Sequence, residues 1–161
     1  MVGLVDLSEE TFREYRVVLA RDYARDKVRA GAWSADGAEP RAARELDGLL
    51  PEGPDTEGHF LYAVCDESIR ADVGNLWLAV LDSSVGRTVW IYDIVIHEQF
   101  RRQGYGALSL GLVEEKAREL GAESVGLHVF GHNEAARALY ERTGYETTDI
   151  VISKRLDVVD G

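Results

Sequence analysis

Seven residues, Arg101-Arg102-Gln103-Gly104-Tyr105-Gly106-Ala107, carry the plainest chemical signal in the chain. They separate an apolar run, Val89 to Ile96, from a stretch with helical periodicity, so they form the turn from a strand into a helix. Glycines at such a turn let the backbone approach a ligand closely. The first N–H groups of the helix then point outward at the positive end of its dipole. The arrangement suits a phosphate or pyrophosphate; the other reading is a tight turn with a charged approach. Two rival phosphate motifs fail on counting. A dinucleotide-binding fingerprint needs a glycine three residues after its second, and from Gly106 that position is Ser109. A Walker loop needs Gly-x-x-x-x-Gly-Lys-Ser/Thr, and after Gly106 and Gly111 come Leu112 and Val113.

Further groups can move protons. Asp93 is the lone carboxylate in the run VWIYDIVI, and burial there raises a carboxyl pKa toward that of a useful base. It can equally be a structural carboxylate held by backbone or by a basic partner. His128 falls in the next apolar stretch, where an imidazole titrates near neutrality and suits proton removal, or simply fills space with a hydrogen bond. His128 and His132 are four apart on a strand end and loop, where that spacing does not converge on a metal, and no glutamate follows His128. With a single cysteine, Cys65, neither an intrachain disulfide nor a cysteine-rich zinc site is available. No metal is expected.

The elements that must position these groups follow from periodicity. Val2 to Leu7 reads as a strand. Ser8 caps a helix whose apolar face is Phe12, Tyr15, Leu19 and Tyr23, stopped by Gly31. A second helix is expected over Ala42 to Leu50. Three strands follow, Phe60 to Cys65, Val73 to Leu81 and Val89 to Ile96, joined by short turns as an antiparallel meander. After the glycine loop, Leu110, Val113, Ala117 and Leu120 mark a helix ended by Gly121. Ser124 to Phe130 is a strand, Asn133 caps a helix through Tyr140, and Tyr145 to Leu156 is the closing strand. The order is β-α-α-β-β-β-α-β-α-β. The crossover from Val89 through the helix to Ser124 makes those two strands parallel within a mixed central sheet.

The chain has 161 residues, within the range of one domain with a sizeable core. We expect a single α/β domain over residues 1–161. Its net charge of −11 would repel a phosphate backbone, which argues against nucleic acid and favours a cationic acceptor. No apolar run is long enough to span a bilayer, and the start MVGLVDLSEE lacks the basic and apolar regions of a secretory signal. A cytoplasmic protein with no membrane partner is the expectation.

Arg101-x-x-Gly104-x-Gly106 is similar to the Arg/Gln-x-x-Gly-x-Gly/Ala signature of the GNAT-type N-acetyltransferases, and VFGHNEAARALYERTGY resembles that family's second block. The two blocks stand in the right order, one helix and one strand apart. The match is close from about Val89 to Tyr145; before that only the element order agrees. The resemblance implies a strand that bulges and splays from its parallel neighbour, with the pantetheine arm of acetyl-coenzyme A in the gap. The backbone of Ile94, Val95 and Ile96 would pair with that arm, with a Val95 N–H near the thioester oxygen. The pyrophosphate would rest on the amides from Arg102 to Ala107, with Arg101 opening the motif. Asn133 would contact the coenzyme, with Ala136 among the small residues that follow it. Tyr140 would approach the sulfur as the acid, and His128 or Asp93 would serve as the base unless water does. The Trp33, Asp36 and Glu39 loop would form an acceptor rim.

The implied reaction is direct attack of a primary amine on acetyl-coenzyme A in a ternary complex. The acceptor would be a small-molecule amine or a protein or peptide amine, and a homodimer is the common family assembly. A non-catalytic coenzyme A binder of the same fold is the competing reading.

Overall fold

The structure, a computed structural model, describes residues 1–157. The chain runs β1 (Val2–Asp6), α1 (Glu9–Arg29), α2 (Ala38–Leu49), β2 (His59–Asp66), β3 (Ala71–Ser83), β4 (Gly86–Ile96), α3 (Tyr105–Glu119), β5 (Ser124–Leu127) and α4 (Glu134–Arg142). The sheet order is β1-β2-β3-β4-β5. Its first three junctions are antiparallel and β4–β5 is parallel, as the helical crossover through α3 requires. Ser8 caps α1 by accepting from the Thr11 N–H at 3.1 Å, and Gly31 leaves the helix at φ +78°.

Alternation along the central strands sends side chains to two cores. Leu61, Ala63 and Trp77 pack under α1 and α2 with Phe12, Tyr15, Ala42 and Leu46. Tyr62, Val64, Leu76, Leu78, Val89 and Ile91 pack on the other face with Leu110 and Val113 of α3. The alternation breaks once in β4. Trp77 pairs with Asp93 but Leu78 pairs with Ile91, so Tyr92 is an extra residue, a β-bulge. Ile91 and Ile94 keep to the α3 face, while Tyr92 joins the α1 face and Asp93 bonds Tyr15 of α1. Two consecutive residues therefore serve one face. The parallel ladder also stops here: β4 and β5 pair only from Thr88/Ser124 to Ile91/Leu127, and the strands diverge beyond.

Three expectations are corrected. α2 begins at Ala38, four residues early, because Pro40 is tolerated in a first helical turn. β5 ends at Leu127, so His128 stands just past the strand; the divergence at the bulge leaves nothing for residues 128–130 to pair with. The closing strand over 145–156 is not formed. Residues 146–157 are exposed throughout, and a β-rich composition cannot make a strand without a neighbouring ladder.

Candidate active site

The diverging ends of β4 and β5 open a cleft of about 270 Å³. One wall is Ile91 to Ile94 and the other is Leu127 to Phe130. α1 and α2 contribute Leu19, Asp22, Tyr23, Asp26, Glu45 and Leu49, and α4 contributes Asn133, Ala136 and Tyr140. The last three are spaced by three and four, one face of a helix. Of the three residues read as proton carriers, Asp93, His128 and Tyr140 all line this cleft. A smaller hollow, near 130 Å³, lies under Phe12 and Leu50; its Asp47 is already paired to Arg16 at 2.5 Å.

Asp93 lies where the bulge turns it toward α1. Its Oδ2 accepts from the Tyr15 hydroxyl at 2.5 Å, and the residue still reaches the cleft. Burial pushes its carboxyl up to about 6; the Tyr15 hydrogen bond opposes this, and the nearby charges of Asp22 and Asp26 add to it. Such a group is ionised at neutral pH yet basic enough to take a proton. Burial first, then the charge of Asp93, pushes the Tyr140 phenol up to about 12, so it keeps its proton and can donate it. His128 is exposed at the edge of the cleft, its ring edge-on to Phe130 at 5.1 Å between centroids.

The lining of the cleft is acidic and aromatic. Asp22, Asp26, Glu45 and Asp93 line the cleft with Tyr23, Trp77, Tyr92 and Phe130; no lysine or arginine does so among the described residues. Trp77 stacks on Tyr92 at 4.5 Å and donates its indole N–H to His59 Nδ1 at 3.0 Å. The Lys27 ammonium lies 5.6, 5.8 and 5.9 Å from the rings of Tyr23, Trp33 and Phe130, and His132 lies 3.5 Å from Asp26. Both contacts tie α1 to the loop after β5. Trp33, Asp36 and Glu39 do not line the cleft. Trp33 is held edge-on by Tyr23 and covered by Arg41 at 4.1 Å, and Glu39 lies in the first turn of α2.

The glycine loop stands at the start of α3. Gly104 occupies the N-cap at φ +86° without a side-chain cap, and the Leu108 N–H is the first to bond back, to the Gly104 carbonyl. The amides of Tyr105, Gly106 and Ala107 therefore lack helical partners, the condition for an anion site. Arg102 adopts φ +61°, Arg101 Nε donates to the Ile96 carbonyl at 2.9 Å, and Gln103 donates to the Gln99 carbonyl at 3.3 Å. The Tyr105 side chain turns away and donates to Asp66 Oδ2 at 2.6 Å within the core, so only its backbone can face a ligand. Gly106 is glycine for packing: a Cβ there would meet Leu139 Cδ2 at 2.9 Å. Ile94, Val95 and Ile96 pair with Leu76, Asn75 and Gly74 on one edge, and their other edge faces the divergence. Free amides, a left-handed glycine and an open strand edge fit a pyrophosphate followed by an extended pantetheine arm.

Residues 32–145 match the model of the acetyltransferase (GNAT) family. The chain belongs to the GNAT acetyltransferase family. Acetyl transfer is that family's reaction, with acetyl-coenzyme A as co-substrate and amines as acceptors. The chain is 35% identical over 155 residues to the uncharacterized N-acetyltransferase YycN of Bacillus subtilis, covering 96% of this chain and 99% of that one. It is 33% identical to the uncharacterized N-acetyltransferase YdgE of the same organism, covering 95% and 97%. The crystal structure of the putative acetyltransferase YycN superposes with a TM-score of 0.92 at 34% identity, over 98% of this chain and 100% of that one. A putative acetyl transferase from Pyrococcus furiosus gives 0.72 at 27% identity, over 97% and 100%.

Sequence reasoning missed Tyr15, Asp22, Asp26 and Glu45. Tyr15 was read as one member of an apolar helix face, which its buried ring is. Its hydroxyl contact spans 78 residues of sequence, and no local pattern announces such a partner. Asp22 and Asp26 are one turn apart beside Tyr23, a signal that only gains meaning once a cleft faces it.

Proposed function

We propose that the chain transfers the acetyl group of acetyl-coenzyme A to the primary amine of a small cationic acceptor. The observation that carries this reading is that Asp93 of β4 and Tyr140 of α4 line one cleft, and that β4 is followed along the chain by the uncapped start of α3. The co-substrate supplies an activated acetyl group on sulfur. The amides of Tyr105, Gly106 and Ala107 hold its pyrophosphate, while the free edge of Ile94 to Ile96 orients its arm. Asp93 takes a proton from the incoming ammonium, so that the nitrogen lone pair is free to attack. Tyr140 donates a hydrogen bond to the sulfur as negative charge grows there. The carboxylates Asp22, Asp26 and Glu45 attract a cation, and the aromatic walls take its alkyl portion.

The test is a screen of amines with acetyl-coenzyme A, detecting release of free thiol. Turnover with small diamines and polyamines is expected, with monoamines of similar length poorer. Tyr140→Phe should lower kcat by roughly 10–10³-fold and leave coenzyme affinity nearly unchanged. A chain that binds acetyl-coenzyme A but acetylates no amine would instead be a coenzyme binder.

A further inference from the structure

Three amides at the start of α3 must point at one anion, and the loop that leads to them does not fix its own shape. Arg102 at φ +61° and Gly104 at φ +86° are both left-handed, and no side chain caps the helix. Backbone in such regions persists only where its surroundings hold it. One hold comes from 39 residues upstream. Tyr105, the first residue of α3, donates its hydroxyl to Asp66 Oδ2 at 2.6 Å, and both residues are buried. Asp66 ends β2 and is paired on both sides, to Val2 of β1 and Ala71 of β3, so its backbone is fixed by the sheet. Its Oδ1 accepts from the Ser68 N–H at 2.9 Å and the Ser68 hydroxyl at 2.6 Å. Those bonds from Ser68, then the one from Tyr105, hold the carboxyl below the usual carboxylate range, so it stays a charged acceptor at neutral pH. Phe100, just before the loop, stands edge-on to the Tyr105 ring at 6.3 Å.

Stability alone does not call for this carboxylate. Burying it costs free energy that apolar packing around the Tyr105 ring would avoid. What a charge-assisted hydrogen bond adds is direction: one donor, one acceptor and one position for the ring. The ring in turn fixes the backbone of Tyr105, whose own N–H and the next two lack helical partners. We propose that Asp66 is a positioning residue for the pyrophosphate of acetyl-coenzyme A, acting through the Tyr105 hydroxyl to aim the amides of residues 105–107. Asp66 does not line the cleft, and it lies outside the glycine loop. The inference rests on the coenzyme half of the proposed function and is independent of the acceptor.

Nuclear magnetic resonance titrations of the full chain with coenzyme A and with pantetheine, which lacks the pyrophosphate, test it without any amine. Wild type should bind coenzyme A more tightly than pantetheine, with coenzyme A alone shifting the amides of residues 105–107. Tyr105→Phe keeps the ring and removes the donor. It should weaken coenzyme A binding by roughly 3–10-fold, somewhat less than losing a whole hydrogen bond to a charged group, and leave pantetheine binding unchanged. Asp66→Ala should act in the same direction. The double variant should be no weaker than the weaker single variant, since both changes break one linkage. Unchanged coenzyme A affinity in Tyr105→Phe overturns the proposal. Equal weakening of both ligands overturns it too, because Tyr105 then only packs, and so do additive losses in the double variant. A wild-type chain that binds the two ligands equally overturns it together with the anion site. These titrations read the same whether or not any amine is acetylated.

Discussion

The hydroxyl of Tyr15, in the second turn of α1, donates to Asp93 Oδ2 at 2.5 Å in the middle of β4. The contact joins the acceptor-side helix to the strand that carries the candidate base. Tyr15 is buried and does not line the cleft, so it holds one carboxylate oxygen while Asp93 still lines the cleft. If Asp93 is the base proposed above, Tyr15 positions it, and its hydrogen bond also bears on when Asp93 ionises. The hydrogen bond favours the carboxylate, against the burial that pushes its pKa up to about 6.

Tyr15→Phe should therefore raise that pKa further. The rising, acid-side limb of the kcat/KM profile should move upward by about one to two pH units, since a hydrogen bond to a charged group contributes ~1.5–3 kcal/mol and one unit is ~1.4 kcal/mol. Turnover at high pH should recover more of its value than turnover near neutrality. An unmoved limb with uniformly lower turnover would mean that Tyr15 only packs.

Asp93→Asn should separate stability from activity. A carboxyl whose folded pKa lies above its unfolded value favours the folded state only while it is protonated. That contribution is complete below about pH 4 and is lost as pH rises through about 6. Above that, folding carries the cost of a buried charge. The amide removes it, so Asp93→Asn should stabilise the protein at pH 7–8 by at most ~3 kcal/mol, less because Asp93 is open to the cleft. Near pH 4 the two proteins should melt alike. Turnover should fall by about 10²–10⁴-fold. Thermal melts across this pH range, with steady-state rates, check both signs.

Most of the fold could be read from periodicity because its signals are local. The face of α1, the meander turns, the glycine loop and the helix stops at Gly31 and Gly121 all lie within a few residues of what they control. The position of the bulge could not be read from spacing, since VWIYDIVI looks continuous and its register is decided by β3. The closing segment differs for the same reason: Ile150 to Ile152 has strand composition, but among the described residues no strand pairs with it. At the site, Asp93, Asn133 and Tyr140 stood out by type or by the family blocks. Tyr15 and the acidic face of α1 emerge only from tertiary proximity.

The two loop glycines should respond differently. Gly104 sits at φ +86° with open space where a Cβ would go, so Gly104→Val should strain the turn and weaken coenzyme binding. Gly106→Ala instead brings a methyl group to 2.9 Å from Leu139 Cδ2, the far end of a half-buried side chain on α4 that must turn aside. The cost should be at most about 1 kcal/mol, offset by the better helix propensity of alanine, and adding Leu139→Ala should remove it by making room. Denaturation of the two single variants and the double variant measures the coupling. Strict additivity would show that the two side chains do not meet.

On the proposed reading, Asp22 and Asp26 tie substrate charge to the chemistry. Both line the cleft, and both raise the Asp93 pKa through their charge. Replacing the pair with asparagine should therefore have two effects of separate origin. The first is on binding. Each carboxylate is partly exposed and already near arginine or histidine, Asp22 at 3.4–3.5 Å from Arg25 and Arg21 and Asp26 at 3.5 Å from His132. An exposed charge pair contributes ~0.2–1 kcal/mol, so KM for a diamine should rise by roughly 2–30-fold, and the rise should shrink with added salt. A monoamine of the same length should lose less, because it has no second ammonium for these residues to hold. The second effect is on ionisation. With two neighbouring negative charges gone, the Asp93 carboxylate is easier to form, and the acid-side limb of the rate profile should move to lower pH, opposite to the Tyr15→Phe shift. Kinetics with a diamine and a matched monoamine, at two salt concentrations and across pH 5–8, read both. If KM rises equally for both amines, the acidic face does not select charge. If the limb stays in place, Asp93 is not the group whose proton controls the rate.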